Sequence, residues 1–162
     1  MTRHPQAWPG TTTSLADYLH KQRIHPCVQA ASTDELLRTL ARSLHVAGTI
    51  SVPHTLARAA RTRLTQGSNG FHGIALLPTR SRTVNTPAAA FARIPPALSW
   101  QGVDRHPIHD VFLLVAPRTP KNTDYVQAYS TLARHTAHAG FRRMLTAART
   151  TDELYELFRL IR

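Results

Sequence analysis

The chain has 162 residues, of which 42% are hydrophobic and 18% are charged. This length and composition predict one globular domain with its own hydrophobic core, and they exclude an intrinsically disordered chain. The formal net charge of +11, counted with neutral histidines, favours anionic partners. The basic residues are dispersed along the sequence without a Lys/Arg block, so nucleic-acid binding is kept as an alternative and is not favoured.

The first 13 residues contain Pro5, Pro9 and Gly10, and they predict a flexible lead-in before a domain that covers residues 14–162. No apolar run is long enough for a membrane-spanning helix, and the start of the chain lacks the apolar core of a signal peptide. Cys27 is the only cysteine, so an internal disulfide is excluded. We therefore expect a cytoplasmic protein.

The first half of the chain alternates predicted strands and helices. Residues 15–19 predict a short helix, and residues 24–30 predict a strand because apolar side chains recur there at even spacing. Ser32 and Glu35 form a capping box before a helical apolar pattern that Gly48 ends. Pro53 opens a second predicted helix, which ends near Gly67.

The second half continues this alternation. Residues 73–78, 88–94 and 108–116 predict strands, and the apolar run within the last of these is the strongest strand signal in the chain. Helical patterns follow up to the C-terminus, and a capping box of Thr150 and Glu153 begins the last one. Strands interspersed with helices predict an α/β fold in which helices cover a sheet.

Two histidine pairs suggest a metal site, but the sequence does not support one. His106 and His109 form one pair, and His135 and His138 form another. Zinc requires three or four ligands, and neither pair has a third candidate nearby in sequence. No dinucleotide, Walker or nucleophile-elbow motif is present. We therefore expect no metal and no cofactor.

Five stretches in this order resemble the enzyme IIA (EIIA type-2) domain of the bacterial sugar phosphotransferase system, in its fructose/mannitol class with the nitrogen-related branch. They are Thr-Asp-Glu-Leu-Leu at 33–37, Ala-Gly-Thr-Ile at 47–50, Ser-Asn-Gly-Phe-His-Gly-Ile-Ala-Leu at 68–76, the segment 104–117 with its Val-Phe-Leu-Leu-Val-Ala-Pro end, and 141–145 followed by 151–155. The resemblance covers residues 14–162. It implies a single α/β domain with a mixed β-sheet between helices.

The resemblance also implies a task, from which this chain departs. In the family, the carrier protein HPr passes a phosphoryl group to a histidine, which passes it to a IIB domain; the nitrogen-related branch regulates other proteins through its phosphorylation state. That histidine follows a G-x-A-x-P run. Here the run from Gly73 to Pro78 is one residue longer, and Thr79 stands at the histidine position. A second histidine, at the start of the next long helix, corresponds to Tyr125.

This departure predicts a degenerate site without a catalytic residue, because a threonine hydroxyl is a weak nucleophile without a neighbouring base and its phosphate ester is a poor donor. The resemblance implies a phosphate pocket, for which Arg61 and Arg63 are alternative arginines and Ser68 is the hydroxyl. We expect a regulatory or protein-binding domain that contacts HPr, a IIB domain or a regulated target. The alternatives are an active phosphohistidine carrier that uses His72, and an anion or nucleic-acid binding module.

Overall fold

The computed structural model describes residues 14–65, 70–96, 98–118 and 123–162, with only the backbone at 123 and 124. The predicted lead-in and Ser68 lie outside these residues. Within them, one five-stranded sheet lies between two layers of helices. The strands are β1 (Ile24–His25), β2 (Gly70–Phe71), β3 (Ile74–Arg80), β4 (Ala88–Arg93) and β5 (Asp110–Ala116).

The sheet is mixed, with the strand order β1-β4-β5-β3-β2. The central pair β3 and β5 is parallel, and β4 runs antiparallel to β5 on its other side. At the edges, β1 is parallel to β4 and β2 is antiparallel to β3. This architecture confirms the predicted α/β fold with a mixed sheet between helices.

The described helices are α1 (Thr33–Val46), α2 (Pro53–Thr65), α3 (Thr123–Thr136), α4 (Ala139–Ala147) and α5 (Thr151–Arg159). Both predicted caps are found at their helix starts. Thr150 and Glu153 form a complete capping box at α5. At α1 the Ser32 hydroxyl accepts from the amide of Glu35, whereas the Glu35 carboxylate accepts from the amide of Ala31 instead of that of Ser32.

The core has two halves, because successive residues of a strand point to opposite faces of the sheet. On one face Leu77 and Leu113 pack under α1 and α2. On the other face Phe112 and Leu114 pack under α3, α4 and α5. The ring of Phe112 contacts the rings of Phe91 and Phe158, at centroid distances of 4.9 and 5.4 Å.

Three segments near the sheet edges differ from their predictions. The predicted strand over residues 24–30 is only two residues long, because Pro26 has no amide hydrogen to donate to a neighbouring strand. The short helix predicted over residues 15–19 is a 3-10 turn at Leu15–Asp17. The two-residue strand β2 was not predicted.

Among the described helices, none has the length and apolar character needed to cross a bilayer.

Candidate functional site

The C-terminal ends of β3 and β5 meet at one edge of the sheet, where Thr79 pairs with Val115. Thr79 is only 3% exposed. Its Oγ1 atom donates to the carbonyl oxygen of Leu77 in its own strand, at 3.4 Å. The hydroxyl at the position implied for the phosphorylated histidine is therefore buried and directed inward.

Tyr125 lies beside this strand end in the first turn of α3 and is 6% exposed. Its phenol donates to the carbonyl oxygen of Leu114 at 3.2 Å. Burial raises the pKa of Tyr125 to about 12, and the positive charge of Arg80 opposes that rise. The phenol is thus neutral near pH 7.

Two arginines reach the same edge. The guanidinium carbon of Arg80 lies 5.1 Å from the ring centroid of Tyr125, and its Nη1 donates to the carbonyl of Pro117 at 3.2 Å. The charge of Arg63 also acts to lower the pKa of Tyr125. Arg61 instead faces α1, where its Nε lies 3.3 Å from Oδ1 of Asp34. Tyr125 therefore lies against the strand end that holds Thr79, and the positive charge of Arg63 acts on its phenol, whereas Arg61 is paired with Asp34.

Arg80 was missed as a site residue in the sequence. The signal was its position directly after Thr79, at the last residue of the strand. A side chain at a strand end can turn back over the edge of the sheet, and Arg80 does so by stacking on the Tyr125 ring. Ser68, the predicted hydroxyl of the pocket, lies outside the described residues.

His72 lies at the opposite end of β3 from Thr79. Its backbone has a left-handed φ of 55°, and its amide donates to Oδ2 of Asp104 at 2.8 Å. At about 3.3 Å per residue, the seven residues of β3 separate the two ends by roughly 20 Å. His72 therefore lies at the opposite end of the sheet from the Thr79 edge.

A second polar cluster surrounds Asp110, which is 0% exposed at the start of β5. Its carboxylate accepts from Nε of Arg93 at 2.8 Å and from Nδ1 of His109 at 3.0 Å. Arg93 also donates to the carbonyls of Leu145 and Ala148 at the end of α4. These bonds fasten α4 to the sheet, at the end of β5 away from Thr79.

Metal ligands do not converge in the part of the chain that the structure describes. There, no group of three or more histidine, cysteine or acidic side chains is placed to hold an ion. The expected absence of a metal and of a cofactor stays a prediction.

Comparison with known protein families identifies the family of this chain. Residues 17–160 match the family model described as "Phosphoenolpyruvate-dependent sugar phosphotransferase system, EIIA 2". The chain belongs to this EIIA type-2 family. The match leaves few residues of the chain uncovered, in agreement with the resemblance in the sequence.

This EIIA domain is 24% identical over 144 residues to the fructose-specific EIIABC component of Bacillus subtilis (strain 168). The alignment covers 88% of this chain but only 22% of that component, so the chain spans about a fifth of its length.

Solved structures share the fold. The nitrogen regulatory protein IIA-Ntr from Neisseria meningitidis superposes with a TM-score of 0.79 at 19% identity, over 89% of this chain and 98% of that chain. The IIA mannitol structure from Escherichia coli gives a TM-score of 0.66 at 18% identity, over 85% and 96% of the two chains. Enzyme IIA mannitol has also been solved in complex with phosphorylated enzyme IIB mannitol, with a TM-score of 0.66 at 18% identity over 85% and 94%.

Proposed function

We propose that this EIIA domain is a regulatory, protein-binding member of the bacterial phosphotransferase system that carries no phosphoryl group on a histidine. The observation that supports this most strongly is the pair of side chains at the end of β3. Thr79 and Tyr125 supply a buried alcohol and a buried phenol where the family resemblance implies two imidazoles.

The chemistry of these two groups argues against a relay. A neutral imidazole is a good nucleophile near pH 7, whereas an alcohol requires an adjacent base. The hydroxyl of Thr79 donates to a carbonyl oxygen, which does not accept a proton near pH 7. The phenol of Tyr125 keeps its proton because its pKa is raised to about 12. A phosphoryl donor would therefore meet no activated nucleophile among these groups.

The alternative carrier, which would use His72, is disfavoured by distance. About 20 Å of strand separates His72 from Thr79. The arginines Arg63 and Arg80, which could neutralise a phosphoryl group, are at the Thr79 edge. A phosphoryl group on His72 would lack their charges.

The Thr79 edge still suits an anionic partner surface. Arg80 stacks on the Tyr125 ring, and it is exposed at the end of β3. Guanidinium groups bind carboxylates and phosphoryl groups through paired hydrogen bonds. We propose that HPr, a IIB domain or a regulated target in the cytoplasm docks here, and that the domain senses this partner without taking its phosphoryl group.

Phosphoryl transfer gives the direct test. The chain is incubated with enzyme I, HPr and labelled phosphoenolpyruvate, and Escherichia coli IIA mannitol serves as the active control. We expect acid-labile label on the control and none on this chain. Label that appears on this chain and disappears in a His72→Ala variant would establish the carrier alternative and refute the proposal.

Docking is tested separately by titrating the isotope-labelled chain with HPr and with phosphorylated HPr in NMR experiments. We expect shifts at the ends of β3 and β5, and a roughly tenfold weaker affinity for Arg80→Ala, because a charged hydrogen bond contributes about 1.5–3 kcal/mol. Arg143→Ala, an exposed arginine on α4, is the control and should bind normally. Shifts confined to other surfaces would contradict the placement of the partner.

A further inference from the structure

The outer surface of the α1–α2 pair gathers basic side chains from three segments of the chain. We call it the arginine face, and it consists of Arg38, Arg42, His54, Arg58, Arg61 and Arg82, all exposed. The amide of Ser51 donates to the carbonyl of Thr83 at 2.8 Å, so the turn that holds Arg82 lies at the start of α2. We infer that the arginine face binds the phosphodiester backbone of duplex nucleic acid without reading its sequence.

The α1–α2 pair carries a net positive charge. Together α1 and α2 contain five arginines and two acids. Both acids are already engaged, since Asp34 pairs with Arg61 at 3.3 Å and the Glu35 carboxylate accepts from the amide of Ala31 at 3.0 Å. In α5, by contrast, three acids accompany Arg159. The α1–α2 pair therefore presents a positive potential to an anionic polymer.

The spacing of the guanidinium groups suits a phosphate backbone. Arg58 and Arg61 are three residues apart on α2, and Arg38 and Arg42 are four apart on α1, so each pair is separated by about 5–6 Å at the Cβ atoms. A groove of about 240 Å³ between the helices is lined by Arg38, Arg58 and Arg61, and also by Asp34, whose carboxylate pairs with Arg61. A phosphate placed there could accept from guanidinium groups of both helices.

Two of the three arginines that line the groove have no carboxylate partner among the described residues. Within the described part of the chain, the guanidinium of Arg38 makes no hydrogen bond or ion pair. Nη2 of Arg58 lies 3.2 Å from Nε2 of His54, and since a guanidinium can only donate, the imidazole nitrogen accepts in this contact. Arg38 and Arg58 therefore keep their full charge for an external anion.

The chemistry of the face favours nucleic acid over a protein or a membrane. The cores of protein interfaces are enriched in aromatic side chains and Met as well as Arg, and amphipathic membrane anchors insert apolar side chains into the bilayer. Around the face, the large apolar side chains that are exposed are Val46 and Val52, and both lie in or beside the connection between the helices. No aromatic side chain belongs to the face, so single-stranded bases have no stacking platform. A duplex, with its stacked bases inside, fits this surface.

This inference does not depend on the proposed function. Arg63 and Arg80, the two arginines assigned to the Thr79 edge in the proposed function, are not part of the arginine face. A failure of the docking experiment with HPr would leave the nucleic-acid inference intact, and the reverse also holds.

The experiment compares two triple variants that lower the net charge equally. The groove variant, Arg38→Gln/Arg58→Gln/Arg61→Gln, removes the three positive charges that line the groove. The control variant, Arg134→Gln/Arg143→Gln/Arg149→Gln, removes three exposed arginines on and beside α3 and α4. Binding to labelled 20-base-pair DNA and RNA duplexes is measured by fluorescence anisotropy between 50 and 200 mM NaCl. Circular dichroism melting verifies that both variants fold.

We expect the wild type to bind, with log K falling linearly against log[NaCl] at a slope of about −0.9 per phosphate neutralised. The groove variant should bind at least about tenfold more weakly at 50 mM NaCl, and its slope should become shallower by about 0.9 for each phosphate that it no longer neutralises. The control variant should stay within about threefold of the wild type. The duplex that binds more tightly identifies the natural form of the ligand.

Several results would overturn the inference. Equal decreases in affinity in both triple variants would mean that net charge alone attracts the duplex. Absence of binding at 50 mM NaCl would exclude the site. Tighter binding to polyglutamate would assign the face to an acidic protein, and tighter binding to vesicles of phosphatidylglycerol would assign it to a membrane surface.

Discussion

Asp110 is the residue on which the packing of α4 against the sheet depends. Its buried carboxylate pairs with Arg93, and Arg93 in turn donates to Leu145 and Ala148 at the end of α4. Asp110→Ala leaves the arginine without its counter-charge. We expect the free energy of unfolding to fall by about 3–5 kcal/mol, as is typical when one partner of a buried pair is removed. Urea denaturation followed by circular dichroism measures this decrease.

An exposed pair in the same chain is the control for Asp110. Arg159 and Glu156 lie 3.1 Å apart, with side chains 57% and 63% exposed. Glu156→Ala should change the free energy of unfolding by less than about 1 kcal/mol, because water screens the pair. Similar decreases in the two variants would show that burial does not set the importance of Asp110.

Gly73 is a position where the backbone conformation requires glycine. Its φ is +81°, and a Cβ atom there would overlap Nε2 of His109. Gly73→Ala should destabilise the fold by more than about 1 kcal/mol. Gly140→Ala is the matched control, because Gly140 lies in α4 and the nearest atom to its added Cβ is 3.8 Å away. It should stabilise the fold by up to about 1 kcal/mol.

Thermal denaturation of the glycine variants separates backbone strain from the overlap. In Gly73→Ala/His109→Ala the imidazole is gone, so any destabilisation that remains beyond that of His109→Ala alone is caused by the left-handed backbone. If Gly73→Ala and Gly140→Ala melt at the same temperature, the geometry at Gly73 is not the constraint described above.

Among the elements, the turn between β2 and β3 is held by a carboxylate, and we expect acid to weaken it. Asp104 accepts from the amides of His72 at 2.8 Å and His106 at 3.1 Å. The bond from His72 is the main cause that lowers the pKa of Asp104 from 3.8 to about 2. Because the folded protein favours the ionised carboxylate, its stabilising effect is complete above about pH 4 and is lost as the pH falls toward 2.

Asp104→Asn tests this pH dependence. The variant should be less stable than the wild type at pH 6, and the two urea midpoints should converge between pH 4 and pH 2. Midpoints that remain equally separated at pH 2 would show that ionisation of Asp104 does not stabilise the turn.

Elements with local signals were predictable from the sequence, and elements that depend on partners were not. Thr150 and Glu153 mark the start of α5 because a capping box is a local interaction. The two-residue strands β1 and β2 exist only because β4 and β3 lie beside them. At the site, Arg61 and Arg63 could not be distinguished by spacing. Side chains two apart on a helix point in different directions, and only the fold shows that Arg61 pairs with Asp34 while the charge of Arg63 acts on Tyr125.

At the scale of the whole molecule, the fold brings together arginines that are far apart in the sequence. The arginines look dispersed in the sequence, yet Arg38 and Arg58 line one groove although 20 residues separate them. Clustering of this kind is a tertiary property, since it arises when α1 and α2 pack side by side. Composition predicted an affinity for anions, but only the fold shows where an anion would bind.

The shortness of β1 and β2 limits how this molecule can associate. A peptide that joins a sheet by strand addition requires a row of free backbone donors and acceptors along an edge. Each edge here ends in a strand of two residues, and on the β1 side Pro26 has no amide hydrogen to offer. A second copy or an extended peptide that added to β1 or β2 would therefore form only a few backbone hydrogen bonds with that strand. A complex built on either of these strands would depend on side-chain contacts, and very short edge strands are one of the features that limit edge-to-edge aggregation.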